Sequence, residues 1–436
     1  MKRVLIITYY WPPGGGGGVM RWLKMSKYLP EWGWQPVIFT PENPDPNVLD
    51  ESLLAEVPKK AEIVKLPIWE PYDLYRKITR KPETSRFKAG YISEASRGNW
   101  KERLSVFIRG NLLIPDPRIF WVNPAYRYLK NYLKEKPVDL IISTGPPHSM
   151  HLIALKLKKK FTTPWLADFR DPWTGIDFYH RLKLTWMADK IHHLLEKKVL
   201  TAADVVTVVS TDIKRSTELL CGREIHVVYN GYDPEDFDFQ AVPDPDFFII
   251  SHFGAFNRDR NPSAFWKALA EVGSEIPAFK EKLKIRLIGQ TDEQIISEIQ
   301  KSGLAGNLER VHHMEHRPGL KLLGRSAVLL LPLNDAPNAR GILPGKMFEY
   351  MALGRPVLAL GPEGSDCRDI ILKTGAGYYC NFMDTEGQKL SLIQLYNNWL
   401  KGKNILINRD IESFSRRNLA REIIELGKSG NSCKEF

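Results

Sequence analysis

Cysteine is scarce in this chain of 436 residues. The four cysteines lie far apart and form no Cys-x-x-Cys pair, which argues against a disulfide framework or a zinc finger. No apolar run approaches the roughly 20 residues of a membrane-spanning helix, so we expect any membrane contact to be peripheral. His312 and His313 would point to opposite faces of a strand, so a metal shared with His316 is not expected either. A reducing, cytoplasmic location fits this pattern.

The charge of the chain is basic. Its 62 Lys+Arg and 51 Asp+Glu give a formal net charge of +11, which favours a phosphorylated small molecule, an anionic membrane surface or nucleic acid as partner. Between Tyr72 and Lys136, fifteen Lys/Arg accompany six Asp/Glu, with aromatic residues interleaved. This segment suits an anionic lipid surface, and it equally suits an inserted helical subdomain with a solvated basic face.

Short runs rich in Val, Ile and Leu alternate with helical patterns along the chain. Continuous apolar runs separated by amphipathic segments indicate parallel strands covered by helices on both faces. The runs form two series. The first comprises 4–8, 36–40, 138–144, 164–169, 204–210 and 225–231, and the second comprises 247–254, 283–289, 309–315, 327–333 and 356–361. We therefore predict an α/β protein with two doubly wound, Rossmann-like domains.

The domain boundaries follow from these series. Residues 1–230 form the first domain, with the basic and aromatic insertion at about 70–136. Residues 231–245, rich in Pro and Asp, are predicted as a linker, residues 246–410 as the second domain and residues 411–436 as a C-terminal helix that packs back toward the first domain. Ligands are expected at the carboxyl ends of the strands, in a cleft between the two domains.

Five consecutive glycines, Gly14 to Gly18, separate the first predicted strand from the first helix. The spacing fits neither a GxGxxG dinucleotide fingerprint nor a Walker loop. What remains is a backbone with free N–H groups at a helix start, which suits a phosphate, with Gly16 and Gly17 at its centre and Arg21 adding a charge. A plain flexible loop is the alternative.

A second motif, ARGILPGKMFEYMALGRPVLAL, spans 339–360. It joins a loop to a helix with Lys346 at its start and Glu349 one turn later. A cation there suits a diphosphate, and the carboxylate can accept both hydroxyls of a ribose. The alternative is an ordinary surface helix with a Lys–Glu pair. We favour a nucleotide site because the order of loop, helix and strand is so particular.

These motifs, together with STGPPHSMHLIAL, PWLADFRDPW, VVYNGYD and FGAFNRDRNP, resemble the glycosyltransferase group 1, family 4-like enzymes of GT-B fold. The resemblance runs nearly end to end. It implies a retaining hexosyltransferase that uses a nucleotide-diphosphate sugar, UDP- or GDP-linked, and needs no metal or other cofactor. It also implies that the leaving phosphate accepts the proton of the acceptor.

The resemblance assigns roles in the second domain and shows departures from the family pattern. The family has an Arg after Gly254, where this chain has Ala255, and a Lys where it has Arg260; Arg258 is a possible substitute. Of the paired glutamates of the family, the second is kept as Glu349, the expected ribose ligand. The first falls on Gly341, and its work on the transferred sugar then passes to the loop backbone of Ile342 and Leu343, together with Lys346.

The resemblance also places a catalytic region after a strand of the first domain. Asp168, Arg170 and Asp171 of DFRDPW are expected to contact the sugar or the reacting centre, and His148 is expected to face the cleft. A buried Asp–Arg pair that fastens the loop is an equally weighted alternative for DFRDPW.

Together these features predict a cytoplasmic glycosyltransferase that can bind peripherally to the inner membrane face. Its acceptor is expected to be a glycan or lipid-linked saccharide in surface polysaccharide assembly, with no nucleic acid as partner. The glycine run would close over the donor phosphates. The alternatives are a GT-B nucleotide-sugar 2-epimerase and a non-catalytic nucleotide-sugar binding protein. Ala255 and Gly341 prompt the second of these alternatives.

Overall fold

The structure is a computed structural model that describes residues 1–46, 48–71, 100–312, 314–403 and 410–429. More than a third of the predicted basic insertion, together with His313 and Cys433, therefore lies outside the described residues. The chain divides into two compact units. The first comprises Met1–Tyr229 and Arg416–Phe436, and the second comprises Asn230–Ser415.

The first unit is built on a parallel sheet of seven strands in the order β3-β2-β1-β4-β5-β6-β7. Its central strands are continuous apolar runs because helices cover both faces. The strands are β1 Lys2–Ile7, β2 Trp34–Pro41, β3 Glu62–Leu66, β4 Leu140–Gly145, β5 Trp165–Phe169, β6 Val205–Val208 and β7 His226–Val227. The described helices are α1 Gly17–Tyr28, α2 Trp100–Asn111, α3 Ile119–Glu135, α4 Ser149–Lys158, α5 Trp186–Ala202 and α6 Thr211–Cys221.

The second unit repeats this plan with six parallel strands in the order β10-β9-β8-β11-β12-β13. The strands are β8 Phe248–Phe253, β9 Leu283–Ile288, β10 Leu308–Val311, β11 Val328–Pro332, β12 Val357–Gly361 and β13 Gly377–Asn381. The helices are α7 Ser263–Glu275, α8 Pro277–Lys282, α9 Glu293–Ile299, α10 His316–Leu323, α11 Gly345–Ala352, α12 Asp366–Thr374 and α13 Thr385–Leu400.

The last described helix, α14 (Arg416–Ser429), lies in the first unit. Its apolar face, which includes Leu419 and Ile423, shares a buried cluster with Val19 and Trp22 of α1. The two helices thus cover one face of the seven-stranded sheet, and this packing holds the start of α1 in place.

The predicted fold class of two Rossmann-like parallel sheets is confirmed. The sequence analysis missed two strands, β3 and β13, at the edges of the sheets. Each has only one fully buried residue, Val64 in β3 and Cys380 in β13, so neither shows the apolar run on which the prediction depended. Among the described helices, none is both long and apolar enough to cross a membrane.

Candidate functional site

The glycine run follows β1 and leads into α1, and its members have different surroundings. A Cβ at Gly14 would lie 3.0 Å from the Trp11 carbonyl oxygen, and a Cβ at Gly18 would lie 2.9 Å from the Tyr10 ring. Gly16 has φ +87°, a conformation that side chains with a Cβ rarely adopt. Close packing and backbone geometry therefore account for these three glycines without a ligand.

A Cβ at Gly15 would also be crowded, 3.0 Å from Asp50 Cβ, so Gly17 is the exception within the run. A Cβ at Gly17 would meet nothing within 4 Å, and its φ lies outside the left-handed region. Gly17 is also the first residue of α1, where backbone N–H groups have no partner within the helix. Steric demands of the fold do not explain this glycine.

The carboxylate of Asp168, at the end of β5, is the hub of a buried network. One oxygen accepts hydrogen bonds from Arg21 Nε (3.1 Å), Trp22 Nε1 (2.9 Å) and Thr144 Oγ1 (2.9 Å). The other accepts from Arg21 Nη2 at 2.8 Å and Thr207 Oγ1 at 3.0 Å. The network thereby ties together α1 and three adjacent strands of the sheet.

Burial alone would raise the pKa of Asp168, but Arg21 and the hydrogen-bond donors hold it below its usual value. Arg21 is itself only 2% exposed and also donates to the carbonyl oxygens of Val228 and Tyr229. The expectation that Arg21 contacts a ligand phosphate is therefore corrected: its guanidinium is committed to the fold. For Asp168, the structure favours the alternative of a buried Asp–Arg pair, with Arg21 as the partner.

Arg170 joins the ends of two strands to the glycine loop. Its guanidinium donates to the Gly18 carbonyl at 2.8 Å and to the Pro146 carbonyl, and it lies over the Tyr10 ring. Asp171, the next residue, is exposed. Of the four predicted catalytic residues, Asp171 is the carboxylate that solvent reaches.

His148 is 7% exposed and stacks on Trp173, with ring centroids 4.8 Å apart. His151 accompanies it in the core, and its Nδ1 lies 2.8 Å from Ser143 Oγ. Burial lowers the pKa of both imidazoles, that of His151 to about 3. Both rings are therefore neutral at pH 7, and His148 is buried. Its catalytic role stays a prediction.

In the second unit, Gly254 follows β8 in a conformation with φ +100°. Its N–H donates to the Ile288 carbonyl at 2.8 Å, and a Cβ on it would lie 3.3 Å from Lys346 Nζ. The glycine thus lets the lysine approach the end of the strand.

Lys346, in the first turn of α11, donates from Nζ to the Phe253 carbonyl at 2.8 Å. Nζ also lies 3.3 Å from His252 Nε2. His252 Nδ1 lies 3.1 Å from the Leu330 carbonyl, which can only accept; with the proton on Nδ1, the Nε2 atom is the acceptor for Lys346. Among the described residues, the third N–H of the ammonium has no acceptor.

Burial, and next the positive charge of Arg260, lower the pKa of Lys346 to about 7. An anion that bound here would restore the charge of the ammonium, since it would offset both effects. Arg260 itself donates to the side-chain oxygen of Asn334, whereas Arg258 of the same turn is exposed. Arg260 is therefore held in a fixed position, whereas Arg258 lies at the surface.

Glu349, one turn after Lys346, has 13% of its side chain exposed and lies 3.0 Å from His316 Nε2. His316 begins α10, and its ring stacks against Phe253. Gly319 packs closely against the Phe253 ring, since a Cβ at Gly319 would lie 2.5 Å from that ring. The sequence analysis considered His316 only as a metal ligand and missed this pairing.

The loop before α11 forms a turn at Ala339–Gly341. Gly341 N–H donates to the Asn338 carbonyl at 3.1 Å, and Ile342 N–H donates to the Ala339 carbonyl at 3.3 Å. The turn thus uses the N–H of Ile342, and the predicted contact of this part of the loop backbone with the transferred sugar stays a prediction. Within the described residues, the N–H of Leu343 has no such partner, so its predicted role stays open.

The comparisons with known proteins concern the family and the fold of this chain. The model of Glycosyltransferase Family 4 matches residues 15–236, just over half of the chain. The chain belongs to glycosyltransferase family 4. The match includes Asp168, Arg170 and Asp171 but ends before Lys346 and Glu349. The roles of all five residues are proposals.

Solved structures show the fold of the whole enzyme. Sucrose-phosphate synthase from Thermosynechococcus elongatus aligns with a TM-score of 0.64 and 16% identity, covering 100% of both chains. A mutant of TarM from S. aureus, in complex with fondaparinux, alpha-GlcNAc-glycerol and UDP, aligns with a TM-score of 0.61 and 11% identity over 98% of this chain and 100% of that chain.

The lipopolysaccharide outer core galactosyltransferase WaaB aligns with a TM-score of 0.57 and 14% identity over 98% of this chain and 99% of that chain. No curated protein sequence matches the chain. At such identities the likeness is one of fold, and it confirms that the family 4 enzyme has the GT-B fold.

Proposed function

We propose that this glycosyltransferase takes its sugar from a nucleotide-diphosphate sugar, UDP- or GDP-linked, and that the second unit binds this donor. The observation that carries the proposal is the arrangement of the first two turns of α11. It places an ammonium, one of whose N–H groups has no acceptor in the described part of the chain, beside a carboxylate at the carboxyl edge of a parallel sheet. Ligands of open α/β sheets bind at this edge.

Each group has a part in donor binding. Lys346 and Arg260 neutralise the diphosphate, with Arg258 as an additional surface charge, and Glu349 accepts hydrogen bonds from the ribose hydroxyls. Gly254 admits the phosphates close to the strand end, as it admits Lys346. During transfer these cations stabilise the charge that develops on the leaving nucleoside diphosphate.

The reaction proceeds with retention and without a metal, and the leaving phosphate accepts the proton of the acceptor hydroxyl. The first unit binds the acceptor, a glycan or a lipid-linked saccharide of surface polysaccharide assembly on the cytoplasmic face of an anionic membrane. Its exposed carboxylate, Asp171, and the open backbone at Gly17 are the groups available to substrate. Arg170 holds the glycine loop in position through the Gly18 carbonyl, and His148 packs on Trp173 beside it.

The experiment is a thermal-shift screen of UDP- and GDP-linked sugars, followed by calorimetric titration of the best donor. A ligand at 100 times its Kd stabilises the folded state by about 2.7 kcal/mol, so the binder raises the melting temperature. Glu349→Ala should then weaken binding by about 1.5–3 kcal/mol, as expected for a hydrogen bond to a charged group.

Glu315→Ala, which removes a neighbouring carboxylate outside α11, is the matched control and should leave the affinity unchanged. Equal affinities of the parent and Glu349→Ala would contradict the placement of the ribose, and a screen without any stabilising nucleotide sugar would contradict the donor class.

A further inference from the structure

The outer face of α5 in the first unit is unusually apolar for an exposed helix. Its buried side includes Ala188, His192 and Val199. On the opposite side, Met187 is 64% exposed and Leu194 58% exposed, with Ile191 between them at 39%. Because these positions recur at the spacing of a helical turn, they form a single stripe. Trp186, the first residue of α5 and the neighbour of Met187 in the sequence, is 74% exposed.

Lysines flank this apolar stripe. Lys190, Lys197 and Lys198 are exposed on the same side of α5, and none forms an ion pair with a described residue. The acidic residues of α5 lie elsewhere: Glu196 is 4% exposed and accepts from Thr174, and Asp189 accepts from Tyr179. The exposed face is therefore apolar and cationic at once.

A groove continues this face toward α3 and α4. It has a volume of about 280 Å³ and is lined by apolar side chains of the three helices, among them Leu152 and Leu195. Lys156, Lys159 and Lys198 are also among its lining residues. Because Leu195 and Lys198 belong to α5, the groove and the stripe form one surface. The docking face is the name used below for the stripe, its lysines and this groove.

We propose that the docking face binds the surface of an anionic lipid bilayer. Large exposed apolar side chains among lysines, with the carboxylates turned away, match a boundary that is apolar inside and negative outside. An aqueous ligand would not need the apolar stripe, and nucleic acid would not need it either. The inference rests on the proposed function, because binding to a bilayer would bring the enzyme to a membrane-bound acceptor. It does not depend on any residue of the donor site.

The experiment is sedimentation of the full chain with vesicles of phosphatidylcholine alone or mixed with phosphatidylglycerol. Binding should require phosphatidylglycerol and weaken as salt is added. Each lysine near an anionic surface contributes about fivefold to partitioning, so Lys190→Gln/Lys197→Gln/Lys198→Gln should lower it by about 100-fold. Met187→Ser/Leu194→Ser should lower it as well, since the apolar stripe is removed.

Matched substitutions elsewhere in the first unit serve as controls. Lys59→Gln/Lys60→Gln removes two exposed lysines, and Leu219→Ser removes a leucine of α6 that is 84% exposed. Both variants should partition like the parent. All variants should keep the stabilisation by nucleotide sugar, because the donor site lies in the second unit. Loss of vesicle binding therefore leaves the donor proposal intact, and loss of nucleotide binding leaves this one intact.

Equal binding to neutral and anionic vesicles would overturn the proposal, as would variants of the docking face that partition like the parent. Light scattering tests a second occupant of the face. A dimer that Met187→Ser/Leu194→Ser dissociates, in a protein that does not sediment with vesicles, would assign the face to a second copy of the chain and overturn the bilayer assignment.

Discussion

The low pKa of Lys346 makes donor affinity depend on pH. In the free enzyme, burial and the charge of Arg260 lower this pKa to about 7, so the ammonium loses its proton as pH rises through neutrality. A bound diphosphate favours the charged form and raises the pKa again, so donor binding takes up a proton. Affinity should therefore be constant below pH 7 and fall above it, by nearly tenfold for each pH unit once the free lysine is neutral.

For a free pKa of about 7, the affinity at pH 8.5 should be weaker than at pH 6 by about 30-fold. The assay is calorimetric titration with a nucleotide sugar, because the terminal phosphate of a nucleoside diphosphate itself titrates near pH 6. Lys346→Met is the control: it should bind weakly at every pH and with little slope. A parent whose affinity is flat between pH 6 and 8.5, or a variant with the same slope as the parent, would refute the assignment of Lys346 to the diphosphate.

Four further perturbations test other parts of the account. Asp168→Asn should lower the melting temperature without any ligand, since breaking a buried ion pair costs about 3–5 kcal/mol; an unchanged melting temperature would deny its structural role. Gly17→Ala should keep the melting temperature of the parent and reduce turnover. Gly18→Ala should lower the melting temperature, because its Cβ would meet the Tyr10 ring. Normal turnover of Gly17→Ala would show that the loop has no role in substrate binding. His316→Ala should weaken nucleotide-sugar binding about tenfold in calorimetry, as expected for a lost hydrogen bond to Glu349, and His316→Asn should restore part of the affinity. Equal affinities of the parent and His316→Ala would show that the imidazole has no part in the ribose site. Turnover should survive excess EDTA, and recovery only on adding magnesium would show that a metal takes part.

The central strands were predictable because they are buried on both faces and so read as unbroken apolar runs. The edge strands β3 and β13 were not, since each has one fully buried residue and mixed polarity elsewhere. The position of Lys346 and Glu349 on the first two turns of one helix was also predictable, because residues three apart on a helix are neighbours whatever the tertiary structure.

Pairings between distant parts of the chain were not predictable in this way. Arg21 lies 147 positions from Asp168 in the sequence, and Arg170, two positions from Asp168, offered an equally good charge. The pairing of His316 with Glu349, 33 positions apart, had one available signal: both follow strands of the same predicted parallel sheet. Because carboxyl ends of parallel strands share an edge, the two could have been placed together.

The glycine run shows how one motif can have several causes. A Cβ at Gly14 would lie too close to the Trp11 carbonyl and a Cβ at Gly18 too close to the Tyr10 ring, and Gly16 has a positive φ. None of these demands is visible in a row of identical letters, because each depends on the neighbours that the fold supplies. Only Gly17 is left for a role in substrate binding.

The most direct test of the central claim is the release of nucleoside diphosphate from the donor identified by thermal shift, with and without a lipid-linked saccharide fraction as acceptor. The account predicts release that requires the acceptor and is lost in Lys346→Met, whose cation no longer stabilises the leaving group. Release at the same rate without acceptor would instead indicate a nucleotide-sugar 2-epimerase, and binding without any release would indicate a protein that only holds the nucleotide sugar; either result would contradict glycosyl transfer from this donor.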